Sequence, residues 1–335
     1  MKKGIRIAAL VSFLYLGTTG AYAQAGLKKA DKQYDKWAYV DALEIYEKID
    51  RRGFSGKDLH QHIGNSYYFN ARYAEAEKQY EKLFALYSEE DLASEYYYRY
   101  AQTLQHVGKE AEAKQYYTQF VNKVGSESQI AKIRENEVDL KKQIQHNSGR
   151  YDALTNLAIN TPFADYGSFV HNSQLYFTSA RDTGSLSKKV HTWTGDTFTS
   201  LYQYTLQDND TGEGKLKRIK GAVKSKFNES TAVITKDGST MYFTRNNITN
   251  GTRKYDAQKN THLKIYRAEN VNGKWSNVTE LPFNGDDFST AHPALSHDER
   301  TLYFASDRPG GFGESDLWQV AVSGKTYGVP QNMGP

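Results

Sequence analysis

The chain has 335 residues, of which 24% are charged and 38% hydrophobic, with a formal net charge of +4. That balance excludes a disordered tail and a bundle of membrane spans, and the length leaves room for two or three domains. Cysteine is absent, which excludes disulfides, thiolate metal sites and a cysteine nucleophile within this sequence.

The first 23 residues stand apart. Lys2, Lys3 and Arg6 precede the apolar run Ile7–Leu16, and Ala21-Tyr22-Ala23 follows as an A-x-A site. This is the pattern of a secretory signal peptide, too short and wrongly flanked to span a bilayer, with cleavage expected after Ala23. Cleavage removes three basic residues and no acidic one, so the mature chain is nearly neutral. A protein that binds phosphate-rich polymers usually carries a clustered basic patch. None is read here, and no nucleic-acid partner is expected. No later run is long enough to span a membrane, so the expected location is the periplasm, reached by export.

Residues 24–147 read as helical repeats. Ala30, Ala42 and Tyr46 are spaced 12 and 4 apart; Gly64, Ala76 and Tyr80 repeat that spacing, as do Ala101, Ala113 and Tyr117. The repeat starts lie 34 and then 37 residues apart. Small residues let paired helices approach, and the aromatic fills the gap between pairs. A period of 34 residues built this way resembles the tetratricopeptide repeat. Gln129–Gln145 carries one apolar stripe, from Ile130, Ile133, Leu140 and Ile144, opposite a charged face. It is expected to be the capping helix of a solenoid. Matching repeat positions places Tyr34, Gln61, Asn65, Tyr68, Tyr98 and Gln102 on the first helices as candidates for a protein-binding groove. Aromatic surface mixed with amide donors suits that role. Packing between repeats competes for the same side chains.

Residues 148–335 read as strands. Leu175-Tyr176-Phe177-Thr178-Ser179, Met241-Tyr242-Phe243-Thr244-Arg245 and Leu302-Tyr303-Phe304-Ala305-Ser306 repeat one another, 66 and then 61 residues apart. Each unit is expected to hold three strands. In the third unit these are Thr290–Leu295, Thr301–Ser306 and Asp316–Val322; Leu201–Leu206 and Leu263–Ala268 are the third strands of the others. Lys274-Trp275-Ser276 and Lys325-Thr326-Tyr327 read as connections onward. The third unit, S-x-D-x-x-x-L-Y-F-A-S-D-R-x-G-G-x-G-x-x-D-L-W from Ser296 to Trp318, closely resembles the TolB-type propeller repeat. Asp237-Gly238 and Asp298 are expected in turns, and Asp307-Arg308 in a charge-assisted bond inside the unit. The predicted fold is therefore multidomain, α then β: a TPR-like α-solenoid followed by part of a β-propeller with about three blades. Three blades cannot close a ring, so the natural protein is expected to be longer.

No catalytic residue, metal ligand or cofactor is expected. There is no G-x-S-x-G, H-E-x-x-H or G-x-x-x-x-G-K-[ST] motif. His60 and His62 are two apart on a helix and face different ways. Asp208, Asp210 and Glu213 read as a solvated loop that lacks a calcium ligand set.

An export signal, tetratricopeptide repeats and TolB-type blades in this order resemble a PorE-like family of Bacteroidetes. Its members continue into a carboxypeptidase-regulatory-like domain and an OmpA-like peptidoglycan-binding domain. The resemblance implies a non-enzymatic, outer-membrane-associated scaffold in the periplasm. Its partners would be envelope proteins, an outer-membrane barrel or a type IX secretion component, with peptidoglycan bound through the C-terminal domain missing here. Two other readings are an exported peptidase with a substrate-filtering propeller and a TolB-like envelope assembly factor.

Overall fold

The structure is a computed structural model. It describes residues 24–126, 156–181, 190–207, 214–249 and 251–334, and singly 128, 146 and 149. The expected signal peptide, the capping helix Gln129–Gln145 and the residues Asp208, Asp210 and Glu213 lie outside the described residues. The chain forms two compact units, Met1–Leu154 with His191–Gly195, and Thr155–Val190 with Asp196–Pro335.

The first unit is helical: α1 (24–34), α2 (Tyr39–Asp50), α3 (Lys57–Tyr68), α4 (Tyr73–Leu86), α5 (Ser94–His106) and α6 (Glu110–Val124). The repeated small residues are where the helices cross. Ala30, Ala42, Ala76 and Ala101 are wholly buried, and so are Tyr46 and Tyr80. Gly64 shows why the position must be small: a Cβ there would lie 2.6 Å from Cε1 of Tyr80. The 12-and-4 spacing is thus a contact, small residue against aromatic ring. Among the described residues, no helix is long and apolar enough to cross a membrane.

The second unit is three antiparallel sheets. The first is β1 (Asp165–His171), β2 (Gln174–Ser179), β3 (Ser200–Thr205) and β4 (Leu216–Arg218). The second runs β5 (Glu229–Ile234), β6 (Thr240–Asn246), β9 (Leu263–Val271), β10 (Lys274–Glu280), with the hairpin β7 (Ile248–Thr249) and β8 (Thr252–Arg253) apart from it. The third is β11 (Thr290–Leu295), β12 (Thr301–Ser306), β13 (Asp316–Ser323) and β14 (Thr326–Tyr327), with β15 (Gln331–Asn332) on β13. The units expected to hold three strands therefore hold a fourth, and the segments expected to be connections, Lys274–Ser276 and Lys325–Tyr327, carry it. The reason is local: Asn272 and Gly273 both adopt positive φ, the geometry of a two-residue hairpin turn, and return the chain alongside β9.

The apolar triplets alternate with the pleat. Met241 and Phe243 join the cluster shared with Tyr176 and Leu201 of the first sheet; Tyr242 joins the cluster shared with Leu302 and Phe304 of the third. Both faces of the middle sheet are covered, so three consecutive apolar residues are all buried. The turn residues act as expected. Asp237 accepts from Thr235 Oγ1 at 2.6 Å and Ser239 N–H at 2.9 Å, and Asp298 accepts from Ser296 Oγ at 2.6 Å and Arg300 N–H at 3.1 Å. Asp307 and Arg308 bond within the third sheet but not to each other. Asp307 takes Ser289 N–H at 2.6 Å. Arg308 donates to Ser306 Oγ, Phe283 O and Thr290 Oγ1, each at 3.1 Å, among the rings of Phe283, Phe288, Phe304 and Trp318.

Adjacent sheets are joined at a repeated irregularity. β1, β5 and β11 each slip register once, around Gly167, Thr231 and His292, which all have positive φ. The freed Thr231 N–H donates to Thr178 Oγ1 on β2 of the sheet before, at 2.9 Å, and the freed His292 N–H donates to Thr244 Oγ1 on β6, also at 2.9 Å. Both threonines are wholly buried. Thr244→Val keeps the shape and removes the acceptor, so it is expected to cost about 1–3 kcal/mol. Hydrogen exchange checks this: the peptide containing His292 gains early exchange, and unchanged protection there refutes the joint.

Glu229, at the start of β5, is 1% exposed. It accepts from Ser225 N–H at 2.6 Å and Ser225 Oγ at 2.5 Å. Burial nonetheless raises its pKa from 4.5 to about 7, against the opposing pull of these bonds and of Arg218. A carboxyl whose folded pKa is raised contributes stability that is fully present below its unfolded value and lost as pH rises through the folded one. The window here is therefore from about 4.5 to about 7. Glu229→Gln is expected to flatten the pH dependence of thermal unfolding across that window and to stabilise at pH 8 by about 1–3 kcal/mol. Parallel profiles for the two proteins would sink the assignment.

Candidate functional site

The first helix of each pair presents one residue to the next pair, because residues about 34 apart occupy equivalent positions in the helical unit. Asn65 on α3 is 2% exposed. Its Nδ2 donates to Tyr34 Oη at 2.8 Å; its Oδ1 accepts from Tyr80 Oη at 2.8 Å and from Arg99 at 3.0 Å. One turn further on, the Tyr68 hydroxyl donates to Gln102 Oε1, and Gln102 Nε2 donates to Tyr98 Oη at 2.9 Å. Tyr68, Tyr98 and Gln102 are half-buried.

Five of the six predicted residues are thus brought together in two rungs, Tyr34–Asn65 and Tyr68–Gln102–Tyr98. The sixth, Gln61, is buried on α3 in neither rung. Asn65 was expected in the groove, but its amide is committed to three partners below the surface. Tyr34 stacks on His62 at 4.1 Å, and burial pushes its hydroxyl up to about 12. His62 also meets Tyr46 Oη at 2.9 Å, whereas His60 meets Gln79 and Ser55, so the two histidines face different neighbours. Among the described residues no group of three or more His, Cys, Asp or Glu is placed to hold a metal ion.

Two contributors stand outside the six candidate residues. Arg99, on α5, spreads its guanidinium over the rings of Phe69 at 5.1 Å and Tyr96 at 5.6 Å while bonding Asn65 and Glu95. The second is the segment His191–Gly195, which belongs to the helical unit although it follows β2 in sequence. Val40 N–H, at the start of α2, donates to Thr192 O at 3.1 Å. The Trp193 ring stands edge-on to Tyr39 at 5.1 Å and beside Trp37 at 6.0 Å, and its Nε1 donates to Phe69 O at 3.3 Å. Phe69 in turn stacks on Tyr39 and touches Tyr68. The helical surface therefore already holds a five-residue stretch of chain, anchored by an indole, beside the Tyr68 rung.

In the sheet unit, Asp256 Oδ2 lies 2.8 Å from His262 Nε2, and His262 Nδ1 lies 3.3 Å from Ser289 Oγ. These are the residue types of a hydrolytic relay, but the arrangement is that of a staple. Ser289 Oγ already accepts Leu263 N–H at 3.2 Å, and Asp256 also takes Asn260 N–H at 2.7 Å. The set pins the segment before β9 to the segment before β11. The basic patch not read from the sequence is present too: 215–226, KLKRIKGAVKSK, holds six cationic residues and no acidic one. Whole-chain charge balance conceals it.

No protein-family model matches the chain, and no curated protein matches it by sequence. Among solved structures it is similar to the C-terminal part of a TPR repeat-containing protein from Cytophaga hutchinsonii, at 21% identity and TM-score 0.31, over 38% of this chain and 52% of that one. It is also similar to a puromycin-hydrolyzing peptidase of Mycobacterium tuberculosis, at 15% identity and TM-score 0.32, over 53% of this chain and 23% of that one. The chain thus spans about half and about a quarter of these two lengths, and similarities this low say nothing of activity.

The two rungs make different demands. Asn65→Leu removes the partner of the Tyr34 and Tyr80 hydroxyls and leaves Arg99 with Glu95, and is expected to destabilise the helical unit by about 2–4 kcal/mol. Gln102→Ala, at a half-exposed rung, is expected to cost about 1 kcal/mol or less. Urea unfolding followed by helical circular dichroism separates them; equal losses would place both rungs in the core.

Proposed function

We propose that the protein is an exported, non-enzymatic scaffold whose helical pairs are tetratricopeptide repeats and hold an extended segment of an envelope protein. The observation that carries this reading is the seat of His191–Gly195 on the helical unit, where a Trp193 anchor and one backbone hydrogen bond hold a stretch remote in sequence. A surface that binds chain in this way offers aromatic walls and amide donors to other chain as well. The half-buried Tyr68–Gln102–Tyr98 rung lies next to it and is less deeply buried than Asn65.

The sheets, in this reading, are blades of a β-propeller, and the scaffold works at the periplasmic face of the outer membrane. Its partner is an outer-membrane barrel or a secretion-system component, and peptidoglycan is held by a domain outside this sequence. The signal-like N-terminus and the repeat order support the reading.

A photo-crosslinking residue placed at Tyr98 or Gln102 in the producing cell is expected to capture an outer-membrane or secretion protein. The same residue at Lys78, exposed on α4, is expected to capture none. Equal capture at all three sites, or none at Tyr98 and Gln102, removes the groove from the proposal.

A further inference from the structure

The basic run 215–226 is laid along the outer edge of the first sheet. Its lysines form no salt bridge among the described residues. Two clefts open on it. One, of about 770 Å³, lies between β4 with its following turn and the β9–β10 hairpin, lined by Lys217, Arg218, Lys220, Lys274, Trp275 and Gly221 among others. The other, of about 410 Å³, lies further along the run and is lined by Lys224, Lys226, Phe227 and Arg245. Among the described residues, neither cleft's lining includes an acidic one.

The larger cleft has a built floor. Trp275 is half-buried and packs against the cluster shared by the first two sheets, so its ring is held in place while it lines the opening. Gly221, Ala222 and Gly273 contribute little or no side chain to the lining. Arg218 is tied to Ser200 Oγ at 2.5 Å, which leaves lysines as the mobile cations. A lysine ammonium is a point charge that suits separated carboxylate, sulfate or phosphate groups rather than bidentate reading of a base edge.

We propose that this edge binds an acidic oligosaccharide, its acid groups held by Lys217, Lys220 and Lys274 and one sugar ring seated on Trp275. The cleft falls in the range of ~300–1,000 Å³ typical of small-ligand sites. The larger cleft holds one aromatic, a poor platform for single-stranded nucleic acid, which stacks successive bases. The second cleft continues the cationic strip, so a chain of several sugars gains contacts that one sugar lacks. The site lies wholly in the sheet unit and is independent of the groove reading.

The test is titration calorimetry on the full chain at low salt. The probes are a hyaluronan oligosaccharide, neutral cellohexaose, and inorganic polyphosphate of matched charge. Hyaluronan is expected to bind, cellohexaose not, and polyphosphate more weakly than hyaluronan. Lys217→Glu with Lys274→Glu is expected to weaken hyaluronan binding about tenfold or more, with affinity falling as salt rises. Trp275→Leu, which keeps an apolar group against the core, is expected to weaken hyaluronan about tenfold but leave polyphosphate unchanged. Tyr98→Ala, in the helical groove, is expected to leave both unchanged. Failure of hyaluronan to bind overturns the proposal, as does polyphosphate binding as tightly as hyaluronan, or hyaluronan binding that does not depend on Trp275. The lysine variant decides the matter if Trp275→Leu fails to fold.

Discussion

The sheet unit depends on one joint: an inner-strand residue with left-handed backbone whose N–H, freed from the ladder, reaches a threonine hydroxyl of the neighbouring sheet. Two ladder requirements conflict there. A strand residue normally gives its N–H to its own sheet, and a β-branched residue such as Thr231 resists positive φ, at a cost of about 1–3 kcal/mol. The conflict is resolved because the donor is not lost but redirected into a buried acceptor, Thr178 or Thr244. Each joint also sets the next: Thr231 Oγ1 lies 2.9 Å from His292 Nδ1, and a Cβ on Gly167 would lie 3.2 Å from Thr231 Oγ1. The three slips therefore line up, β5 between β1 and β11, and their register follows from one repeated geometry.

The helical unit solves a different problem with the same kind of economy. Its first helices must both pack and present a surface, and the two tasks fall on residues a turn apart. Asn65 answers packing, satisfying the hydroxyls of Tyr34 and Tyr80 and sharing Arg99 with Glu95. Tyr68, Gln102 and Tyr98 satisfy one another and keep part of their surface in solvent. Arg99 bridges the tasks: its charge is spread over Phe69 and Tyr96 and bonded to Asn65, so a fixed cation stands near the Trp193 seat. Because both ends of each rung are already bonded, an incoming segment meets a surface whose rotamers are set beforehand, which lowers the entropy lost on binding.

Much of this was legible in the residues, for physical reasons that differ by element. The 12-and-4 spacing predicted the buried crossings because size at a helix contact is a local property. The strands Thr290–Leu295 and Thr301–Ser306 were legible to the residue, since Thr301–Ser306 alternates buried and half-buried positions and turn residues separate the two. The fourth strands were not read, although Asn272-Gly273 is a strong hairpin signal; β10 is an edge strand with only Trp275 and Val278 as apolar markers, too few for periodicity to register. Asn65 was placed on the right helix face, yet its burial depends on Tyr80 and Arg99 from other helices, which no local pattern shows. The Trp193 seat was illegible for the same reason in stronger form: it joins residues 124 positions from Phe69.

The basic strip raises the question of what its charge is for. Outer strands β4 and β10 leave a row of unpaired backbone groups, and lysine is a common guard against edge-to-edge association. Guarding an edge requires charge alone. It does not require an indole fixed against the core beside the small residues Gly221, Ala222 and Gly273. The third sheet supplies the contrast: near its outer strand Lys325 is spent on Glu269, at 2.6 Å. Lys264 of the second sheet is likewise spent, on Glu280 at 2.7 Å and Asp286 at 2.6 Å. Lys217, Lys220 and Lys274 meet no carboxylate among the described residues. An anionic ligand that gathers them meets, in the same cleft, a ring held against the core.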